Sequence, residues 1–336
     1  MEHNKFTSIN NFRNHLRDLF TTEAYQGQDE NDNPIYDESI TLGSYKYKAT
    51  HKIGGTNTSI ANKDGQLWYQ SRETVLIDSD QNGFKDYYSQ HKEFLKSFIQ
   101  DNTILYGEWC GQGVKEKHSI SRTEGKKWII FAVKVNDVLH TEEEFIKQYV
   151  NHNLNIYNIY KWGSYDITID YSGYKWGDWN DLTLKAPAEV MELVDNLTLK
   201  CPVSTSFGVN EGIGEGLVLV SETISPRTNK PYYLKVKNSK YEAEVLMPNV
   251  KDFSVHPNLT SFLLIAVTES RLEQFFDKME NDKVEINMKN VKLFQNLVLA
   301  DIEKECIDLM NDLGLTLKDY ESEVRKKCTE YFRTKV

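Results

Sequence analysis

Between Tyr45 and Thr50 the chain alternates, with Tyr45, Tyr47 and Ala49 set between Lys46, Lys48 and Thr50. A period of two sends successive side chains to opposite faces, so this stretch predicts a half-buried strand running into Lys52. Ser59-Ile60-Ala61 and Leu67-Trp68-Tyr69 predict the next two strands, hinged at Lys63-Asp64-Gly65. Ile104 to Trp109 and Trp128 to Val135 predict two more, on either side of a loop from Gln112 to Gly125. A later pair, Leu217 to Val220 and Tyr232 to Lys237, is joined by a turn containing Pro226 and Pro231. Helices are predicted at Asn11 to Phe20, Phe84 to Ile99 and Ala186 to Leu197, the second carrying Tyr88, Phe94, Leu95 and Phe98 mostly on one face. A polar, acidic loop is expected from Gln26 to Ser39. A further helix and a Tyr/Trp/Gly-rich region are expected between Thr141 and Leu199.

After Pro248 the pattern changes. Segments from Asn258 to Met279, Asn290 to Met310 and Thr316 to Phe332 show helical periodicity with no strand signal, and Gly314 separates the last two. Ser-, Thr- or Asn-type caps precede them. Two domains are therefore expected, a mixed sheet-and-helix domain over residues 1–246 and a small all-helical one over 250–336. A length of 336 residues accommodates both.

A hydrophobic content of 39% and a mean hydropathy of −0.58 describe a soluble globular chain. No run approaches the roughly 20 apolar residues that a membrane helix needs. Met1 to Asn11 is polar and lacks the apolar stretch of a secretory signal, so Asn57, Asn196 and Asn258, which open glycosylation triplets, are expected to stay bare. Cys110, Cys201, Cys306 and Cys328 are too scattered for a disulfide framework, and none has zinc-knuckle spacing. The expected compartment is a cytoplasm, the host's if the chain is viral. A net charge of −10 argues against nonspecific coating of nucleic acid, although a local basic groove stays compatible with it. Arg325-Lys326-Lys327 reads as a solvated helix face.

The chemistry-bearing candidates are spread along the chain in a fixed order. Lys52 precedes Gly54-Gly55-Thr56-Asn57, where glycines let the backbone approach a triphosphate and Thr56 and Asn57 offer hydrogen bonds. Lys235 and Lys237, two apart on a strand, share one face while Leu234 and Val236 take the other, which aims two cations at one phosphate. Glu215 precedes the apolar run Leu217 to Val220, and a carboxylate there suits Mg²⁺, which prefers oxygen ligands. The glycines from Gly208 to Gly214 are followed by a strand rather than the helix a dinucleotide fingerprint requires. Taken singly, Arg72, Glu108 and Phe131 read as a solvated base, a solvated acid and a core aromatic, and each lysine as a surface residue.

As a series they resemble the covalent nucleotidyltransferase superfamily of polynucleotide ligases and RNA capping enzymes, and within it the phage RNA ligase 2 family. The likeness is carried by Lys52-Ile-Gly-Gly-Thr-Asn, Gly107-Glu108-Trp-Cys-Gly-Gln-Gly-Val, Ile130-Phe131, Glu215-Gly-Leu-Val-Leu and Lys235-Val-Lys237-Asn-Ser-Lys. It implies an α+β fold, with a nucleotidyltransferase domain of antiparallel sheets and helices, ATP-grasp-like in character, and a small all-helical C-terminal domain. It implies Lys52 as the AMP-bearing nucleophile, Glu108 on the ribose, Phe131 stacked on adenine and Arg72 on ribose or phosphate. Gly55, Thr56 and Asn57 would line the nucleotide, Lys235 and Lys237 would contact the α-phosphate as catalytic groups, and Glu215 would belong to the metal site. The chain departs from the family's pattern at Gly54, where Asp or His is common, at Ala132, commonly Asp, and at Val220, commonly Lys.

The activity so implied is ATP-dependent RNA ligation with ATP and Mg²⁺, Mn²⁺ being a substitute. Lys52 takes AMP, passes it to a 5′-phosphate RNA end, and a 3′-hydroxyl displaces it. The implied partner is RNA with 5′-phosphate and 3′-hydroxyl ends, at a nick in a duplex; no membrane partner is implied, and the expected state is a monomer. The alternatives are a capping-type guanylyltransferase using GTP, disfavoured by the absence of a β-rich tail after Lys237, and a catalytically impaired RNA-binding relative, motivated by the three departures.

Overall fold

The computed structural model describes residues 1–72, 74–76, 82–114, 118–181, 184–241, 257–306, 310 and 315–336. Helix α1 (Phe12–Glu23) starts where Asn11 caps it, its side chain accepting from the Asn14 N–H at 2.9 Å. The expected acidic loop is instead a small hairpin, β1 (Tyr25–Gln28) against β2 (Pro34–Tyr36). Its turn is closed by the Asp29 carboxylate, which accepts from the N–H groups of Asn31 and Asn33.

A four-stranded antiparallel sheet has the order β10 (Tyr165–Asp170), β3 (Ser44–His51), β11 (Gly216–Ile224), β12 (Pro231–Lys237). One face buries Tyr47, Ala49, Ile167, Ile169, Leu217, Leu219, Leu234 and Val236 against α1 and α4 (Ala188–Thr198). Strand β10 lies in the stretch from Thr141 to Leu199, where helices and a Tyr/Trp/Gly-rich region but no strand were expected. Pro231, expected in a turn, opens β12 opposite Ile224, where a missing N–H costs little.

The second sheet runs β5 (Gln66–Ser71), β4 (Thr56–Lys63), β6 (Thr103–Gly111), β7 (Lys126–Val135), β8 (Val138–His140), and β9 (Ile156–Asn158) pairs parallel with β7. Asp64 and Gly65 link β4 to β5 with φ of 53° and 70°, the pair of positive angles a two-residue type I′ hairpin requires. Helix α2 (Phe84–Phe98) covers its outer face through Phe84, Tyr87, Tyr88 and Leu95. Phe94, expected on that stripe, is 46% exposed, because it falls one position off the 84–88–95 row. The inner faces of the two sheets meet in an apolar cluster that includes Tyr233 from the first sheet and Ala61, Trp68, Ile104, Tyr106 and Ala132 from the second.

Further helices among the described residues are α6 (Pro257–Ala266), α7 (Glu269–Asn281), α8 (Val291–Glu305) and α9 (Leu317–Arg333), after the short α3 (Glu143–Ile146) and α5 (Pro202–Ser206). They share a core of their own around Phe262, Phe294, Ile302, Tyr320 and Phe332. The segment of helical periodicity from Asn258 to Met279 is divided between two helices, because Thr268 leaves the helical region and caps α7 at the Arg271 N–H. Helix α8 stops at Glu305 rather than at Met310, while Gly314 and Pro248 lie outside the described residues. Arg325 pairs with Glu321 at 2.7 Å on α9 and also donates to the Asn296 side chain on α8 at 3.0 Å, so it is half-buried against that helix rather than on a solvated face.

Candidate active site

Lys52 leaves β3 beside the start of β11, and its backbone N–H donates to the Gly216 carbonyl at 2.9 Å. The side chain turns to the residue before Gly216. Its Nζ lies 2.7 Å from Oε1 of Glu215, a carboxylate side chain only 9% exposed. On the other side of β11, Gly216 opposes Lys237 and Val218 opposes Lys235. Alternation along β12 turns Leu234 and Val236 into the core and leaves Lys235 and Lys237 on the face that carries Tyr233 toward the second sheet.

The charges on this face interact. Burial pushes the Lys235 ammonium down to about 8, and the cations of Lys52, Lys237 and Arg72 push it the same way against the pull of Glu215. Arg72, which follows β5, is thus within electrostatic reach of the two-lysine face. Burial by itself would raise the Glu215 carboxyl. Lys52, His118 and Lys237 outweigh it and hold the group below the ordinary carboxylate range. The local field is positive in a chain that is negative overall, which suits a polyanion.

Across the cleft, Asn57 on β4 is the cross-strand partner of Glu108 on β6, so the two side chains share a face. Tyr106, two residues before Glu108, points into the cluster between the sheets, which sets that face toward the lysines. Gly55 is required by proximity. A Cβ there would lie 2.5 Å from the Trp109 carbonyl oxygen and 2.7 Å from Cγ of Glu108. Thr56 begins β4 and its hydroxyl accepts from the Asn82 amide at 3.3 Å. Phe131 is the extra residue of a bulge on β7, since Tyr106 pairs with Ala132 and Gly107 with Ile130. Its ring meets Phe6 edge-on, 5.0 Å between centroids.

The structure therefore gathers Lys52, Glu215, Lys235 and Lys237 into one group with Arg72 in range, and pairs Asn57 with Glu108. Phe131 on β7 packs against the clusters that hold Ile53 and Tyr233, close in sequence to Lys52 and Lys235, and is engaged by an aromatic the sequence did not single out. Among the described residues, no three His, Cys, Asp or Glu side chains converge as a metal cage. A single buried carboxylate still fits Mg²⁺, which typically takes one or two protein carboxylates and completes its shell with substrate phosphates and water.

Two groups at this site escaped the sequence reading. The His118 Nδ1 lies 3.9 Å from Oε2 of Glu215, and the Tyr241 hydroxyl is 2.9 Å from that same nitrogen. Tyr241 is delivered by the run after Lys237. Buried Asn238 accepts from the N–H groups of Lys240 and Tyr241 and donates to the Thr198 hydroxyl at 2.9 Å, so its role in the motif is to shape the turn. Nothing in the spacing of a lone histidine in a loop signals such a position.

Residues 46–237, more than half of the chain, match the RNA ligase family. The chain belongs to the RNA ligase family. Every strand of the two large sheets except the first two residues of β3 lies inside the matched span. Solved structures of Naegleria gruberi RNA ligase are similar at a low level. A mutant with AMP and Mn has a TM-score of 0.45 at 12% identity over 72% of this chain and 57% of that one. A mutant with ATP and Mn has 0.45 at 13% over 71% and 57%, and the enzyme with pyrophosphate 0.45 at 14% over 72% and 58%. The chain thus spans less than two thirds of the length of those ligases, and family membership rests on the sequence match. No curated protein matches the sequence.

Proposed function

We propose that this member of the RNA ligase family is an ATP-dependent ligase of the phage RNA ligase 2 type, working through AMP bound covalently to Lys52. The observation that carries the reading is that Lys52, held by Glu215 at 2.7 Å, acts together with Lys237 and Arg72 on the buried Lys235. In the first step the Lys52 nitrogen, giving up protons to solvent as it reacts, attacks the α-phosphorus of ATP. A phosphorus–nitrogen bond forms, the bond to the bridging oxygen breaks, and pyrophosphate leaves. Lys235 and Lys237 stabilise the charge that builds on the α-phosphate, and Arg72 holds ribose or phosphate. Asn57 and Glu108 take the ribose side, Gly55 and Thr56 line the nucleotide, and Phe131 supplies a face for adenine.

Glu215 would hold Mg²⁺, or Mn²⁺ in its place, and the ion would supply charge neutralisation at the phosphates. The same cations then orient the 5′-phosphate of RNA as it takes AMP from Lys52, and the RNA 3′-hydroxyl displaces AMP to form the phosphodiester. RNA duplexes are gripped by shape and 2′-hydroxyls, a task we assign to a helical domain over residues 250–336, with residues 1–246 as the adenylylation domain. The protein works as a monomer on nicks in duplex RNA.

The test is incubation of the purified chain with ATP labelled on the α-phosphate and Mg²⁺, followed by denaturing electrophoresis. A labelled band absent from Lys52→Arg is expected, since a guanidinium stays protonated and cannot attack. A band that persists in that variant places the nucleophile elsewhere, and a band formed from GTP but not ATP favours a guanylyltransferase.

A further inference from the structure

We infer that His118 is a positioning residue of the Lys52 centre, reaching from the loop between β6 and β7 into the space a side chain at position 54 would fill. The inference rests on the ligase reading above. A Cβ on Gly54 would lie 2.0, 2.4 and 2.7 Å from Nδ1, Cγ and Cε1 of His118, so ring and side chain exclude each other. Gly54 does not have the left-handed backbone that would itself demand glycine. The demand comes from the imidazole.

The ring has a defined task there. Glu215 offers one oxygen to Lys52 at 2.7 Å, and the other faces His118 Nδ1 at 3.9 Å. Tyr241 braces the imidazole with its hydroxyl. The backbone under the ring is fixed as well. The His118 carbonyl accepts from the Ser121 N–H at 3.1 Å and from its hydroxyl at 2.7 Å. Arg122 then ties the loop to the Glu211 carbonyl, four residues before Glu215. A carboxylate caught between Lys52 and a braced ring has one orientation, and that orientation sets where the Lys52 amine points. The role is positional: His118 acts through Glu215 and does not itself meet the reacting phosphorus.

Because the backbone from His118 to Arg122 is held and the ring is the end of a side chain, a methyl group at position 54 displaces the ring and leaves the fold in place. His118→Ala and Gly54→Ala should therefore produce the same defect. Each should lower the maximal rate of Lys52 adduct formation by about ten- to a hundredfold, the scale for ångström-level misplacement, with the KM for ATP within about threefold of wild type. The double variant should be no slower than either single one, and His118→Gln, which keeps a polar group beside Glu215, should keep more activity than His118→Ala. Melting curves check that all variants fold. Losses that multiply in the double variant, or a Gly54→Ala enzyme with wild-type rate, overturn the inference. A second measurement needs no turnover. In a histidine-ring NMR spectrum, the cross-peak lost in His118→Ala should shift in Gly54→Ala, and an unmoved peak overturns the inference. If the wild type forms no adduct, the ligase reading falls while this spectrum still decides where the ring sits.

Discussion

Replacing Lys52 by Met strands a buried carboxylate, and the cost can be worked from the site. Glu215 is 9% exposed and Lys52 is 23% exposed, with 2.7 Å between the charged atoms. At an effective dielectric constant of about 20 their attraction is about 6 kcal/mol, most of it offsetting the desolvation of the two groups. Removing one partner of a buried pair costs about 3–5 kcal/mol. His118 and Lys237 still favour the Glu215 carboxylate, so the lower end, about 3 kcal/mol, applies. A domain of this size loses about 2–4 °C of Tm per kcal/mol, which gives a drop of about 6–12 °C. Glu215→Gln leaves the less buried Lys52 and should cost only about 1–2 kcal/mol. Lys52→Met with Glu215→Gln removes both charges and should recover most of the loss, while Lys52→Arg, which retains a cation, should melt near wild type although it forms no adduct. Tryptophan fluorescence is a suitable assay, because Trp68, Trp109, Trp128, Trp162, Trp176 and Trp179 all precede the last four described helices. The measurement is made without nucleotide and with chelator. A Lys52→Met melt within about 1 °C of wild type, or additive losses in the double variant, refutes the reasoning.

Lys235 yields a proton-linkage prediction. With its ammonium lowered to about 8, the unfolded chain binds a proton that the folded one lacks between that pH and the ordinary lysine value, so stability from this group rises with pH across the interval. Pyrophosphate beside Lys235 favours the charged form, so its binding near pH 8 should take up protons, measured by calorimetry in buffers of different protonation enthalpy; equal heats after buffer correction contradict this. Ala132→Asp places an acid in a fully buried apolar cluster and should cost several kcal/mol, about 3–5 by the measure of an uncompensated buried charge, with Val220→Lys restoring part of it in a double variant. No recovery in that melt would show that the two positions do not interact. A fragment ending at Asn249 should form the Lys52 adduct at near full yield but lose most nick sealing, and wild-type sealing by the fragment would exclude the helices from RNA docking.

The strands of the two sheets were legible where one face is wet, as at Tyr45 to Thr50, because burial on one side alone enforces a period of two. Strand β10 was equally legible in principle, since Ile167 and Ile169 are buried between exposed Asp166, Thr168 and Asp170, but the surrounding Tyr, Trp and Gly residues hid it. The helix break at Thr268 was harder to see, because apolar residues keep arriving at helical spacing on both sides of it. At the site, Lys235 and Lys237 could be set on one face from the sequence because they share a strand. The approach of Arg72 to them joins strands from different sheets, which no local pattern encodes. His118 and Tyr241 were invisible for the same reason.

The departures at Gly54, Ala132 and Val220 look independent along the chain, yet in space they are not isolated losses. Ala132 and Val220 come from different sheets and pack against one apolar cluster, with Phe6, Tyr106 and Tyr233. A position where the resembled family commonly has an acid and one where it commonly has a base have thus both become apolar at one place. Losing only one of them would have left a charge buried without a partner, which costs far more than losing both. Gly54 follows a parallel logic with volume in place of charge. The side chain given up in the turn after Lys52 leaves space that the His118 ring occupies from another part of the chain. Each of the three positions is thus packed with residues distant in sequence, while Lys52 stays paired with Glu215 and the strand carrying Lys235 and Lys237 stays beside them. The three positions are filled by packing that leaves the charged group around Lys52 in place, and the labelled-ATP assay with Lys52→Arg decides whether that group acts.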